Sequence, residues 1–294
     1  MLLVTGATGH SGRYFLQELI NHKYVGKIRC VVRNSSDTTL MDGSGLNIDK
    51  VVGDLNDREF TDRCTKGVDM VMHIASIRYS LNIIESAIRN NVPRAICVHT
   101  TGIYSKFKDA SEEYKIIKNK LHEMAEASEI KITTLNPTMI YGDVCDHNMS
   151  KFIKMIDRFR IFPVINHGKG LIQPVNARDL AKAYYDVMMM PFEKSKCEYI
   201  LSGEKPITML EAFGIISNEL GKKTLFVSFP LVFGVLLARF LKAVTLGKVD
   251  YVERVERMSE DRCFSYEDAN NDFGYSPEAF KIGIAREVKE YLRR

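Results

Sequence analysis

Short apolar runs alternate with helical patterns through the first half of the chain. Residues 2–5 read as a strand, and 11–21 as a helix that turns Tyr14, Phe15, Leu19 and Ile20 inward. Strands follow at 28–32 and at 48–52, the second after a turn-rich stretch at 42–45. Residues 58–64 pattern as a short helix, 68–73 as a fourth strand, 79–90 as a helix and 95–98 as a fifth strand. A long helix over 110–127 and a sixth strand over 131–135 complete the series. Continuous Val/Ile runs are what strands covered on both faces show. Strand–helix alternation of this kind predicts an α/β fold with a doubly wound parallel sheet.

After about residue 143 the alternation weakens. Residues 149–162 carry a mixed apolar and basic helical pattern, and 179–190 a further helix. A strand is expected at 198–201, then a helix over 209–220 closed by Gly221. Helical patterns dominate from there to the end. Residues 226–246 are the most apolar stretch, interrupted by Pro230, Arg239 and Lys242. Their uncharged part is too short to cross a bilayer, so a buried or interface helix is expected, with a helix lying on a membrane as the lesser alternative.

Composition narrows the class. Of 294 residues, 45% are apolar and 27% charged, an ordinary globular balance. The net charge of +4 is dispersed, which argues against a nucleic-acid partner. None of the six cysteines forms a CxxC pair, so reduced, buried thiols are expected. The seven histidines lack ligand spacing, and no metal site is expected. Gly6 ends the first apolar run too early for a secretory signal, so a cytoplasmic protein is expected.

The first strand runs into Val4-Thr5-Gly6-Ala7-Thr8-Gly9-His10-Ser11-Gly12, three glycines at spacing three that open a helix. Gly6 permits the tight turn, Gly9 lets the backbone approach a pyrophosphate, and Gly12 allows the helix to pack closely on the strand. The free amides and positive dipole end of that helix favour phosphates. Thr8, His10 and Ser11 complete the candidate phosphate loop.

With these residues the chain resembles the short-chain dehydrogenase/reductase superfamily, in its extended or atypical branch of NAD-dependent epimerase/dehydratase-like proteins. Asp54-Leu55 matches the family's Asp-Leu step after the third strand. His73-Ile74-Ala75-Ser76 resembles its strand-four segment beside the cofactor. The segments 136–142 and 173–181 resemble its later blocks, which brings Pro137 near the nicotinamide. The resemblance implies a Rossmann domain over 1–148, to which residues 170–202 or so return, and a smaller, mostly helical substrate-binding part over 149–294. It implies NADP or NAD as cofactor, a small-molecule substrate and compatibility with a homodimer. At the end of the second strand stands Arg33, a cation with a planar donor fork, where a carboxylate would select NAD; NADP is therefore preferred.

The family's chemistry uses a Tyr and a Lys four residues apart on one helix face, with a hydroxyl from a strand end. Tyr114 and Lys118 supply the pair, and counting back from Tyr104 places the hydroxyl on Thr100, with Thr101 as the alternative. The implied activity is hydride transfer at a carbonyl or hydroxyl carbon, with Tyr114 as acid/base and Lys118 also bonding the nicotinamide ribose. The alternative is a sensor or assembly protein that binds NADP without turnover. Where nucleotide-sugar enzymes carry an arginine seven residues before Asp179, this chain has Ile172, which argues against that substrate class.

Overall fold

The computed structural model describes residues 1–107 and 109–293. Seven parallel strands form its central sheet: β1 (Leu2–Thr5), β2 (Ile28–Val32), β3 (Ile48–Val52), β4 (Met70–His73), β5 (Arg94–Val98), β6 (Lys131–Pro137) and β7 (Glu198–Leu201). Their order is β7-β6-β5-β4-β1-β2-β3. Val4 of β1 pairs with Cys30 on one side and Met72 on the other. The chain lays β2 and β3 to one side of β1, then crosses back to lay β4 on the other. That reversal leaves a crevice at the carboxyl ends of β1 and β4, where open sheets of this type bind ligands.

Both faces of the sheet are covered, which is why its strands are apolar throughout. On one face, helix His10–Asn21 sets Phe15, Leu16 and Leu19 against Leu180 and Tyr184 of helix Ala177–Met189. On the other, Ile83, Ile84, Ile117 and Leu121 from helices Ser80–Arg89 and Ser111–Glu126 close over the strands. Buried Arg94 of β5 donates to the carbonyls of Val187 (2.6 Å), Met188 (3.2 Å) and Met190 (2.8 Å). It thereby satisfies acceptors that the end of helix Ala177–Met189 leaves without intrahelical partners. A separate cluster, including Ile153, Phe162, Phe213 and Ile284, forms the core of the later part of the chain.

Three expectations need correction. The helix expected over 149–162 ends at Arg158, and Ile161–Ile165 is a strand paired with Leu225–Phe229. Pro163 explains the break: it lacks an N–H and disfavours helical geometry at the residue before it. The stretch 226–246 is divided at Pro230 between that second strand and helix Leu231–Val244, and the helix is largely exposed rather than buried. The thiols are free, as expected, but only Cys30, Cys64 and Cys97 are buried, while Cys145 and Cys197 are exposed.

Candidate active site

The glycine turn sits at the head of the crevice. Gly6 has a φ of 75°, and a Cβ there would fall 2.6 Å from the Ala75 backbone nitrogen just past β4. A Cβ on Gly12 would fall 2.0 Å from the Gly6 carbonyl oxygen. Strand, turn and helix therefore meet backbone to backbone, a contact that side chains would prevent. The Gly9 amide donates to the Gly6 carbonyl at 2.9 Å. Gly9 caps helix His10–Asn21 without a side-chain bond, and no acidic residue stands in the first turn. The leading amides of that helix are thus left for an anion.

The neighbouring groups are polar and fixed. Asp143 accepts from the Tyr14 hydroxyl at 2.7 Å and from Arg13, with His10 Nε2 3.3 Å away. Burial alone would raise the Asp143 carboxyl, but the bonds from His10 and Tyr14 outweigh it and hold it ionised well below the usual range. Thr8 is half-buried, and Ser11 is buried beside Tyr184. Arg33 lies exposed just past β2, and its amide donates to Ser36 Oγ at 3.0 Å. Asp54 is exposed and accepts from the Asn56 amide at 2.9 Å, while buried Leu55 offers its carbonyl to Asn82 at 3.1 Å.

Beyond β5 and β6 lies a cavity of about 290 Å³ whose wall includes Thr100, Thr101, Tyr104, Pro137, Arg257 and Arg262. Thr100 Oγ1 accepts from the Gly102 amide at 3.0 Å, and Thr101 Oγ1 donates to the Pro137 carbonyl at 3.2 Å. Both hydroxyls are thereby oriented by backbone. Tyr114 and Lys118 share helix Ser111–Glu126 but are not on this wall. The Tyr114 ring is buried under the Arg78 guanidinium, 5.4 Å from its centroid. The Lys118 ammonium binds Glu198 Oε2 at 2.6 Å and Tyr104 Oη at 3.1 Å. The Tyr104 hydroxyl donates in turn to Glu198 Oε1 at 2.8 Å. The tyrosine that joins cavity and ammonium is therefore Tyr104, ten residues before the one the helical spacing selects. The sequence marks Tyr104 only as the residue from which Thr100 is counted, because only the fold brings residues 104, 118 and 198 together.

His73 ends β4, and His99, on the cavity wall itself, stands just past β5. His73 is enclosed, with Nδ1 2.6 Å from Thr5 Oγ1, and burial lowers its pKa to about 4. Burial, then the charges of His73 and Lys118, lower His99 to about 3. Both are neutral at physiological pH, so His99 adds an uncharged group to the wall. Arg257 and Arg262 each have a buried Nε without a hydrogen-bond partner. Burial lowers the Arg262 pKa to about 10, with the Arg257 charge adding to it, so the group stays cationic at neutral pH. Arg262 is bridged in parallel fashion to Ile172, the position where the family's arginine is missing.

Near the glycine turn, Glu287 is fully buried and accepts from the Gly142 amide at 3.1 Å. Burial, and then the neighbouring Asp146 charge, push its carboxyl up to about 10. The folded state therefore keeps a proton that the unfolded chain releases above about pH 4.3. Stability from this group is complete below that value and is lost as pH rises toward 10. Glu287→Gln should flatten the alkaline decline of the melting temperature between pH 5 and pH 10; an unchanged slope in thermal melts would contradict the assignment.

Residues 6–151 match a family of NAD(P)H-binding domains. An NAD(P)-binding domain thus occupies about the first half of the chain. Its fold is shared over nearly the whole length with a UDP-glucose 4-epimerase from Thermotoga maritima, solved with UDP-glucose (TM-score 0.76, 17% identity, covering 99% of this chain and 98% of that one). It is likewise shared with the triphenylmethane reductase of Citrobacter sp. complexed with NADP(H) (TM-score 0.75, 17% identity, covering 98% and 100%). In sequence, sterol demethylase protein B of Methylococcus capsulatus is 36% identical over 74 residues, 25% of this chain. The match spans about a fifth of that curated relative (21%). Around the NAD(P)-binding domain, no helix among the described residues is long and apolar enough to cross a membrane, and no group of three or more His, Cys, Asp or Glu could hold a metal ion.

Proposed function

We propose that this protein is an NADP-preferring oxidoreductase or epimerase acting on a carbonyl or hydroxyl carbon of a small molecule. One observation carries the reading: a glycine turn with no room for a Cβ opens onto the crevice between β1 and β4, and a polar cavity lies at the ends of the adjoining strands. The residues present fit the dinucleotide, with Gly6, Gly9 and Gly12 shaping the cradle, Thr8, His10 and Ser11 around it, and Asp54, Leu55, Ala75 and Pro137 along the crevice. When bound, the cofactor supplies or accepts the hydride. Thr100 holds the substrate oxygen, and Tyr114, which shares its helix with Lys118, moves its proton.

A second assignment of the proton donor has its own support, since Tyr104 is the tyrosine that both lines the cavity and touches Lys118. Arg257 and Arg262, half-buried on the cavity wall, offer cations to an anionic substituent of the substrate, and the buried Nε of each lacks a hydrogen-bond partner that such a group could supply.

Arg33→Ala should weaken NADPH binding about ten- to a hundredfold, the loss of one charge-assisted hydrogen bond, and leave NADH affinity unchanged. Fluorescence titration of both nucleotides measures this; an unaltered preference would remove Arg33 from the site. Activity is tested by following NADPH consumption across a panel of aldehydes, ketones and sugar nucleotides. Turnover supports the enzyme. Tight NADPH binding with no consumption supports a sensor or assembly protein.

A further inference from the structure

Helix Leu231–Val244 turns only a narrow strip toward the protein. Ala238 is buried, and at Gly234 a Cβ would meet Ile165 at 2.6 Å and Val255 at 3.1 Å. Most of the other side chains of the helix are apolar and face outward. Val232 is 71% exposed and Phe240 64%, with Phe233, Leu236, Leu237, Leu241 and Val244 exposed beside them. Leu246, just past the helix, is 90% exposed. Positions 232, 236, 240 and 244 form one row, and 233, 237 and 241 the adjacent row, so the apolar arc covers about half of the helix circumference. A continuous outward apolar surface of this kind marks an interaction site.

Charge identifies the occupant. From Lys222 to Val249 the chain holds Lys222, Lys223, Arg239, Lys242 and Lys248, and no Asp or Glu. Lys222 and Lys242 are paired with Asp157 and Asp250. Lys223, Arg239 and Lys248 have no ion-pair partner among the described residues. A second copy of the chain docked two-fold on this face would set the same unneutralised cations against each other. An anionic bilayer surface receives both the apolar arc and the cations. With 14 residues the helix is about 21 Å long, too short to span and suited to lying in the interface.

We infer that helix Leu231–Val244 with its flanking cations is a membrane-surface docking face that binds anionic phospholipid. The face adjoins the cavity through the chain itself. Asp109 is close enough to Lys242 to feel its charge, and the segment after Asp250 supplies Arg257, Glu260 and Arg262 to the cavity wall. Docking would hold the cavity beside the lipid headgroups.

Co-sedimentation of the full chain with phosphatidylcholine vesicles, with and without phosphatidylglycerol, tests this. Wild type should bind the anionic vesicles at least about tenfold more strongly than the neutral ones, and less as salt rises. The double variant Leu236→Ser/Phe240→Ser, both on the exposed face, should lose that binding at least tenfold while keeping wild-type NADPH affinity as the check on folding. Lys223→Glu/Arg239→Glu should erase the preference for anionic vesicles. Equal or absent binding to both vesicles would overturn the inference. So would a concentration-dependent dimer in sedimentation velocity that the Leu236→Ser/Phe240→Ser variant abolishes, since a second copy would then cover the face.

Discussion

Gly12→Ala should abolish measurable NADPH binding and lower the melting temperature. The added Cβ would lie 2.0 Å from the Gly6 carbonyl oxygen and 2.9 Å from the Ala7 Cα. Both neighbours are backbone, so the conflict cannot be relieved by a side-chain rotation. Helix His10–Asn21 would have to move off the turn, carrying its leading amides away from the crevice. Overpacking of this kind costs about 1–3 kcal/mol of stability, and misplaced amides no longer converge on one anion. Gly9→Ala is the graded comparison. Its Cβ would meet the Gly6 oxygen at 3.1 Å, so the fold should bear it with a smaller loss of stability. The methyl would nonetheless occupy the space through which a pyrophosphate approaches. Differential scanning fluorimetry and calorimetric titration separate the two effects. A Gly12→Ala protein with wild-type NADPH affinity would contradict the proposed cradle.

Tyr114→Phe should reduce turnover by about 10²–10⁴-fold, the usual contribution of a positioned acid/base, with NADPH affinity unchanged. A phenol with its ordinary pKa near ~10 is a poor base at neutral pH, so the role requires a cation, and Lys118 is one turn away on the same helix face. The structure also puts the Lys118 ammonium on Tyr104. There burial and the Glu198 carboxylate raise the phenol pKa, and Lys118 opposes them. Tyr104→Phe is therefore the deciding companion. A loss confined to Tyr114→Phe assigns the proton to Tyr114, and a loss confined to Tyr104→Phe assigns it to Tyr104. Steady-state kcat for both variants, measured with one turned-over substrate, makes the distinction. Full activity in both would remove tyrosine from the chemistry.

How much of this was legible in the sequence follows the range of the interactions. The six strands of the first half, the glycine turn and the helix after it are encoded within a few neighbouring residues, by apolar runs and by glycines at fixed spacing. They stand where the patterns put them. The helix expected over 149–162 failed because its apolar and basic spacing suits a helix until Pro163, and because the pairing of Ile161–Ile165 with Leu225–Phe229 joins segments some sixty residues apart. The reach of Tyr104 and Glu198 to Lys118, and the return of Arg262 to the side of Ile172, depend on tertiary approach and leave no local trace. The sequence leaves a buried and an interface helix both open for Leu231–Val244 for a related reason: an apolar helix looks the same in sequence whether its own core or an external surface covers it, and the exposure of the helix removes only the first.

The central claim is that the turn from Gly6 to Gly12 and the amides of helix His10–Asn21 hold the pyrophosphate of a pyridine nucleotide. Isothermal titration of the purified full chain with NADPH and with NADH addresses it most directly. One site per chain, tighter for NADPH and lost in Gly12→Ala, is the predicted result. Heat changes no larger than dilution for both nucleotides, or binding that Gly12→Ala leaves intact, would contradict it.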